Sequence, residues 1–132
     1  PYTLATYMVE GKTSKEYLEI KKMAFNEPKL LHAILQNLAD SIGDYALYQI
    51  ENGAQLMQIF DSWAGHLSPR DYEEFASPYQ KQILDKVCES KQTTYLKKCI
   101  CLSLMQLFSR LDQSKLPRCS YRYLYQTFGS VD

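Results

Sequence analysis

Hydroxyl, carboxylate and imidazole side chains gather after one short apolar run, residues 56–60, near the middle of the chain. Asp61 and Ser62 follow the run directly, and Trp63 and His66 come within the next four residues. This change from apolar to polar residues is typical of a buried strand that ends at a site. A serine hydroxyl there can donate a hydrogen bond to a substrate carboxylate or accept one from an ordered catalytic group. The stretch predicts one wall of a functional site.

A second hydroxyl-bearing segment opens the chain. Residues 3–9 are rich in β-branched and aromatic side chains and are followed by Gly11, so we expect an extended strand with Tyr7 near its end. In a barrel of alternating strands and helices, the working face lies at the C-terminal ends of the strands. We expect five residues on or near that face: Tyr7, Asp61, Ser62, Trp63 and His66. A strand-end Asp-Ser that only forms a turn, with Tyr7 as a core aromatic, is the alternative.

Other enzyme chemistries find little support. The chain has no Gly-x-Gly-x-x-Gly, no Walker loop and no Gly-x-Ser-x-Gly elbow. Ser62 and His66 do not suggest a catalytic pair, because residues four apart in a turn seldom align a base on a hydroxyl. We expect His32 to be a surface or half-buried residue of a helix, and Glu73 and Glu74 to form a solvated face.

One long amphipathic helix is the clearest element that must position these groups. Pro28 suits a first helical position, since proline there loses no hydrogen bond. Apolar residues then recur every three or four positions, and Asn52-Gly53 provides a left-handed cap, which predicts a helix from Pro28 to Glu51. The glycine turn leads directly into residues 56–60, which we interpret as a buried parallel strand of a βαβ unit.

Three shorter helices carry local start signals. Thr13 and Glu16 have the spacing of a capping box, which predicts a helix from Ser14 to about Phe25. Ser68-Pro69 and Ser77-Pro78 predict two more helices, the second with an apolar face that includes Val87.

Composition limits the class of protein. With 132 residues, 45% of them hydrophobic, the chain is long enough for one domain with a core. The formal net charge is zero, which gives no reason to expect nucleic acid or an anionic membrane as a partner. No apolar run approaches the ~18 residues that span a bilayer. Because residue 1 is proline, we expect a processed product, a truncated chain or a fragment.

The character of the sequence changes near Val87. Before it the acids outnumber the bases, and after it the bases predominate. All four cysteines follow Val87, and we expect free, reduced thiols because their spacing does not suit a zinc site; they are Cys88, Cys99, Cys101 and Cys119. We therefore expect two parts, 1–87 and 88–132.

At the two strand ends the sequence resembles the uroporphyrinogen decarboxylase family. Residues 1–11, Pro-Tyr-Thr-Leu-Ala-Thr-Tyr-Met-Val-Glu-Gly, resemble most of that family's second signature. Residues 53–65 resemble the family's later strand and its acidic-Ser turn. The resemblance covers residues 1–87 and is strongest to the cyanobacterial and plastid branch, which implies a plastid location, with the cytoplasm as the alternative.

The resemblance implies a partial (β/α)8 barrel, about two strand-helix units of a TIM barrel. It implies decarboxylation of uroporphyrinogen III to coproporphyrinogen III without metal or organic cofactor, by a homodimer. By position, Tyr7 is similar to the family's catalytic tyrosine, which also holds substrate, and Ser62 is similar to its substrate-contacting serine. The family's central aspartate, its arginines and its late histidine match no residue here. We therefore expect the chain alone to be inactive.

Two readings from other classes stay open. The first is a small helical interaction module, in which residues 88–132 replace the rest of a barrel. It predicts cooperative, monomeric unfolding, whereas an open barrel segment with exposed strand edges predicts aggregation. The second is a related corrinoid-linked methyltransferase. The resemblance disfavours it, because those enzymes use a zinc site with cysteine and histidine ligands.

Overall fold

The computed structural model describes residues 1–11, 16–54 and 57–90. These residues form five α-helices and one turn of 3₁₀-helix. In chain order they are α1 (Tyr2–Glu10), α2 (Leu18–Asn26), α3 (Pro28–Glu51), the 3₁₀ turn (Ser62–His66), α4 (Pro69–Phe75) and α5 (Ser77–Glu89). The described part is therefore helical, and it contains no β-strand.

Helix α3 is the helix against which the other four pack, and its predicted bounds are confirmed. Its buried residues recur almost every fourth position, so one narrow row of side chains faces the other helices; they are Leu31, Leu35, Ala39, Gly43, Ala46 and Ile50. Gly53 follows with φ of 96°, and its N–H donates to the Ile50 carbonyl at 3.0 Å. The left-handed residue at the end of this helix was predicted.

The predicted strand at residues 3–9 is wrong, because this segment is helix α1. Tyr2, Ala5 and Thr6 are buried and Val9 packs against the core, a spacing of three and four that suits a helix. The β-branched residues misled the prediction, since their strand preference depends on packing against neighbouring strands. The predicted end is confirmed, because Gly11 adopts φ of 64° and closes α1.

Residues 57–60 lie outside any helix or strand, which corrects the predicted strand over 56–60; Leu56 itself lies outside the described residues. A strand exists only where its backbone pairs with a neighbour. The described residues supply no such neighbour. Phe60, at the end of this segment, is 62% exposed.

Helix α2 begins at Leu18 and not at Ser14, which lies outside the described residues. The cap comes from another helix. The Glu10 carboxylate of α1 accepts the N–H groups of Glu19 at 2.9 Å and of Ile20 at 3.1 Å. This carboxylate satisfies amides that α2 leaves without intrahelical partners.

The two proline-marked helices form where the sequence predicted them. Ser68 caps α4 by accepting the N–H of Asp71, and Pro69 occupies its first turn. Helix α5 begins at Ser77, with Pro78 second. Along α5, Lys86 forms an ion pair with Asp44 of α3 at 2.6 Å. Helices α4 and α5 both pack against α3.

The core joins all five helices. Its fully buried members include Ala5, Ile20, Leu35 and Ile83. Among residues 1–11, 16–54 and 57–90, no helix is long and apolar enough to cross a membrane. Of the four cysteines, Cys88 lies half-buried on α5. The predictions for residues 91–132 lie outside the described residues, as do the other three cysteines.

Leu35 tests this core, because its side chain is fully buried in the row by which α3 faces the other helices. Replacing it with alanine (Leu35→Ala) should lower the free energy of unfolding by about 2–5 kcal/mol, through lost burial and the cavity left behind. Leu30→Ala is the matched control, since Leu30 is 45% exposed on the same helix. Urea unfolding followed by circular dichroism measures both. Equal losses in the two variants would contradict this core.

Candidate functional site

The Asp61 carboxylate, fully buried, lies at the N-terminus of α1. Its Oδ1 accepts the N–H of Thr3 at 2.7 Å, and its Oδ2 accepts the N–H of Tyr2 at 3.4 Å. The nitrogen of Pro1 is also 3.4 Å from Oδ2. The first amides of a helix lack intrahelical partners, and the helix dipole favours a negative charge beside them. Asp61 is therefore the side-chain cap of α1, from a residue 58 positions away.

Thr3 completes a reciprocal contact. Its Oγ1 accepts the N–H of Trp63 at 3.1 Å, while its own N–H donates to Asp61. The first turn of α1 and the 3₁₀ turn thus each cap the other. This pair of hydrogen bonds fixes where Ser62, which stands between Asp61 and Trp63, is held relative to α1.

A glutamine from α5 also contacts the carboxylate. Gln80 Nε2 donates to Asp61 Oδ2 at 2.8 Å, and Gln80 Oε1 accepts the hydroxyl of Tyr72 at 2.7 Å. All three side chains are buried. Buried polar groups are stable only when they are hydrogen-bonded. This series of hydrogen bonds therefore links α4 and α5 to the start of α1.

Trp63 packs against two aromatic rings, and one of these contacts a third. Tyr7 lies 4.2 Å away between ring centroids, and Tyr17 lies 5.0 Å away. His66 contacts Tyr17 at 4.7 Å. Tilted and offset pairs at such separations are favourable for aromatic rings. We name these four side chains, Tyr7, Tyr17, Trp63 and His66, the aromatic cluster.

The structure brings the predicted site residues together around Trp63. Tyr7 is 45% exposed and packs at a tilt against Trp63, and Ser62 is exposed as the first residue of the 3₁₀ turn. Their roles in binding and catalysis stay predictions. Asp61 is fully buried, and its carboxylate accepts hydrogen bonds from the first turn of α1. It therefore positions the helix that carries Tyr7 and is not itself exposed to a ligand. Tyr7 reaches this position from a helix, not from a strand end.

Sequence reasoning missed Thr3, Tyr17 and Gln80 as parts of this arrangement. Each acts on a residue far away in the chain, and only the fold brings the partners together. Thr3 is the second residue of α1, and its hydroxyl accepts the N–H of Trp63 in the 3₁₀ turn, so no local capping pattern marked it.

His32 was predicted to be a surface or half-buried residue, and this is confirmed. Its Nδ1 is 2.6 Å from the hydroxyl oxygen of Tyr79, and its ring stacks on Phe75 at 5.0 Å. Burial raises the pKa of Tyr79 above its ordinary value. These contacts join α3 to α4 and α5 and lie outside the aromatic cluster. Glu74, predicted to be solvated, is exposed, with its carboxylate 4.0 Å from His32 Nε2.

Tyr2 is the ionisable group most strongly perturbed near the capping carboxylate. Its pKa is raised from 10.0 to about 12, first by burial and then by the negative charges of Asp71 and Asp61, although a contact with the Thr6 hydroxyl lowers it. Burial and nearby carboxylates both disfavour the phenolate form. The phenol therefore keeps its proton well into the alkaline range while the chain is folded.

Comparison with known proteins gives one consistent family. Residues 1–119 match the family model described as uroporphyrinogen decarboxylase (URO-D). The match thus extends beyond residue 87, which was the expected limit of the resemblance.

Curated proteins named uroporphyrinogen decarboxylase align with the first part of the chain. One from Prochlorococcus marinus is 60% identical over 94 residues, 71% of this chain and 27% of its own length. One from Picosynechococcus is 62% identical over 87 residues, 66% of this chain and 25% of its own length. One from Synechococcus is 57% identical over 94 residues, 71% of this chain and 27% of its own length. The chain thus spans about a quarter of the length of these relatives.

The raised pKa of Tyr2 predicts a pH dependence of stability. Between about pH 10 and pH 12 the unfolded chain loses the phenol proton while the folded chain keeps it, so the unfolded state binds fewer protons and stability falls as pH rises. A shift of about two units corresponds to at most about 3 kcal/mol. Tyr2→Phe should remove this part of the alkaline loss, in urea titrations at pH 9 and pH 11.5.

Tyr45→Phe is the control, since Tyr45 is 61% exposed on α3. Its alkaline loss should match that of the unmodified chain. If Tyr2→Phe also loses as much stability as the unmodified chain, the phenol of Tyr2 is not buried as described.

Proposed function

The chain belongs to the uroporphyrinogen decarboxylase family, and on that premise we propose that it supplies one wall of a uroporphyrinogen-binding site. The reaction is removal of the carboxyl groups from the four acetate side chains of uroporphyrinogen III, which leaves methyl groups. The observation that carries this proposal is the contact of Tyr7 with Trp63 at 4.2 Å, which sets the exposed Tyr7 ring beside the turn that begins with Ser62.

Tyr7 and Ser62 present the two hydroxyls that the reaction needs from this wall. Both residues are exposed, so a ligand can reach them. A serine hydroxyl donates a hydrogen bond well to a carboxylate, and such charge-assisted bonds are stronger than neutral ones. Tyr7 in this proposal is the catalytic residue that holds substrate and orients an aspartate supplied by another part of the enzyme.

The chemistry itself needs no cofactor. Protonation of the pyrrole carbon next to the one that bears an acetate side chain makes the ring an electron sink. Loss of carbon dioxide moves the electron pair of the broken C–C bond into the ring and leaves an exocyclic methylene. A proton delivered to that methylene gives the methyl group, and loss of the first proton from the ring carbon restores the pyrrole. The protein has to orient the macrocycle, move protons and hold carboxylates in place. This wall contributes positioning, and the proton donor lies elsewhere.

For the whole enzyme we propose a (β/α)8 barrel, which the family membership supports. A homodimer and a plastid location belong to the same proposal, the latter supported by the cyanobacterial relatives. We also propose a division of the chain near residue 87, which the alignments of 87–94 residues support.

A chimera tests this assignment. Residues 1–87 of the chain replace the matching segment of the Prochlorococcus marinus relative, and formation of coproporphyrinogen is measured. Tyr7→Phe and Ser62→Ala should each lower kcat/KM about 10- to 100-fold, the expected loss for one hydrogen bond to a charged group. Tyr45→Phe and Ser41→Ala are the matched controls, because both residues lie on exposed positions of α3.

Two results would contradict the proposal. If Tyr7→Phe and Ser62→Ala leave the rate of the chimera unchanged, this surface does not bind the substrate. If the 132-residue chain alone forms coproporphyrinogen, it does not need the rest of the enzyme.

A further inference from the structure

We propose that Gln80 of α5 is a positioning residue for the aromatic cluster and Ser62, acting through the Asp61 carboxylate. The inference rests on the proposed function for the meaning of the site. The positioning itself is a property of this chain and can be measured without substrate. Gln80 acts on the aromatic cluster only through Asp61, and it is not a catalytic residue.

The orientation of the Gln80 amide is fixed by its two neighbours. A carboxylate can only accept, so the amide nitrogen must face Asp61, at 2.8 Å. The amide oxygen then faces Tyr72 and accepts its hydroxyl at 2.7 Å. Gln80 is 6% exposed and Asp61 is fully buried, so little water is available to replace either hydrogen bond.

Asp61 connects the position of Gln80 to the candidate site in two ways. Through its hydrogen bonds to Tyr2 and Thr3 it sets the start of α1, the helix that carries Tyr7. Along the chain it directly precedes Ser62 and Trp63. Loss of the hydrogen bond from Gln80 to Asp61 should therefore change the packing of the Trp63 ring against Tyr7, while the helices themselves remain.

Trp63 is the single tryptophan of the 132 residues, so its fluorescence reports on this place alone. Gln80→Met keeps the length and helical preference of the side chain but removes both hydrogen bonds. We expect a red shift of the native-state emission and faster quenching by acrylamide, with unchanged helix content. A role in stability alone would lower the free energy of unfolding and leave the native emission unchanged.

Gln82→Met is the matched control on the same helix. Gln82 also donates one side-chain hydrogen bond, to Asp40 Oδ1 of α3 at 2.7 Å, but it does not contact Asp61. Its emission should equal that of the unmodified chain. An equal red shift in both variants would overturn the proposal, because the effect would then not depend on Asp61.

A rescue experiment gives a second, independent readout. Gln80→Glu sets one carboxylate against another in a buried site, and should shift the emission more than Gln80→Met does. Adding Asp61→Asn restores a donor facing an acceptor, with the amide now on residue 61. The double variant should recover part of the native emission, and only part, because the new amide also faces the N–H of Tyr2.

The proposal is overturned if Gln80→Met keeps its helix content and its native emission. It is equally overturned if the double variant is no closer to the unmodified chain than Gln80→Glu, a comparison that holds even where both are less helical. These outcomes are separate from the fate of the proposed function. If Tyr7→Phe leaves kcat/KM of the chimera unchanged, the substrate assignment is refuted, but the fluorescence result still stands.

Discussion

A buried negative charge organises this chain. The Asp61 carboxylate has no exposed surface, and a charge withdrawn from water is tolerated only where donors replace the lost solvation. The donors here are the first amides of α1 and the amide of Gln80. Three parts of the fold thus meet at one side chain, and Ser62 of the candidate site follows it directly in the chain. The position of Tyr7 and Ser62 follows from satisfying this charge.

Capping explains which helices could be predicted. Helices α3 and α4 carry their signals within their own sequence, a proline in the first turn and, for α4, the Ser68 cap. Helices α1 and α2 are capped by the carboxylates of Asp61 and Glu10, which belong to other segments. A cap that arrives from elsewhere leaves no local pattern. The start of α2 and the nature of α1 were therefore wrong in the sequence-based interpretation.

The candidate site shows the same limit. Tyr7 and Ser62 could be proposed from the sequence, because hydroxyls at the ends of predicted elements and a family resemblance pointed to them. Gln80 could not, since a glutamine on an amphipathic helix is usually solvated, and only the packing of α5 buries it against Asp61. The strand prediction failed for a related reason, since a strand over residues 57–60 requires a paired neighbour.

The amide of Thr3 tests the central claim most directly. Its N–H donates to Asp61 Oδ1 at 2.7 Å, although it is only the third residue of the chain. Hydrogen exchange measured by NMR on the 132-residue chain should show this amide exchanging much more slowly than in an unstructured peptide, and Asp61→Ala should abolish the protection. Exchange of the Thr3 amide at the unstructured rate in the unmodified chain would contradict the account.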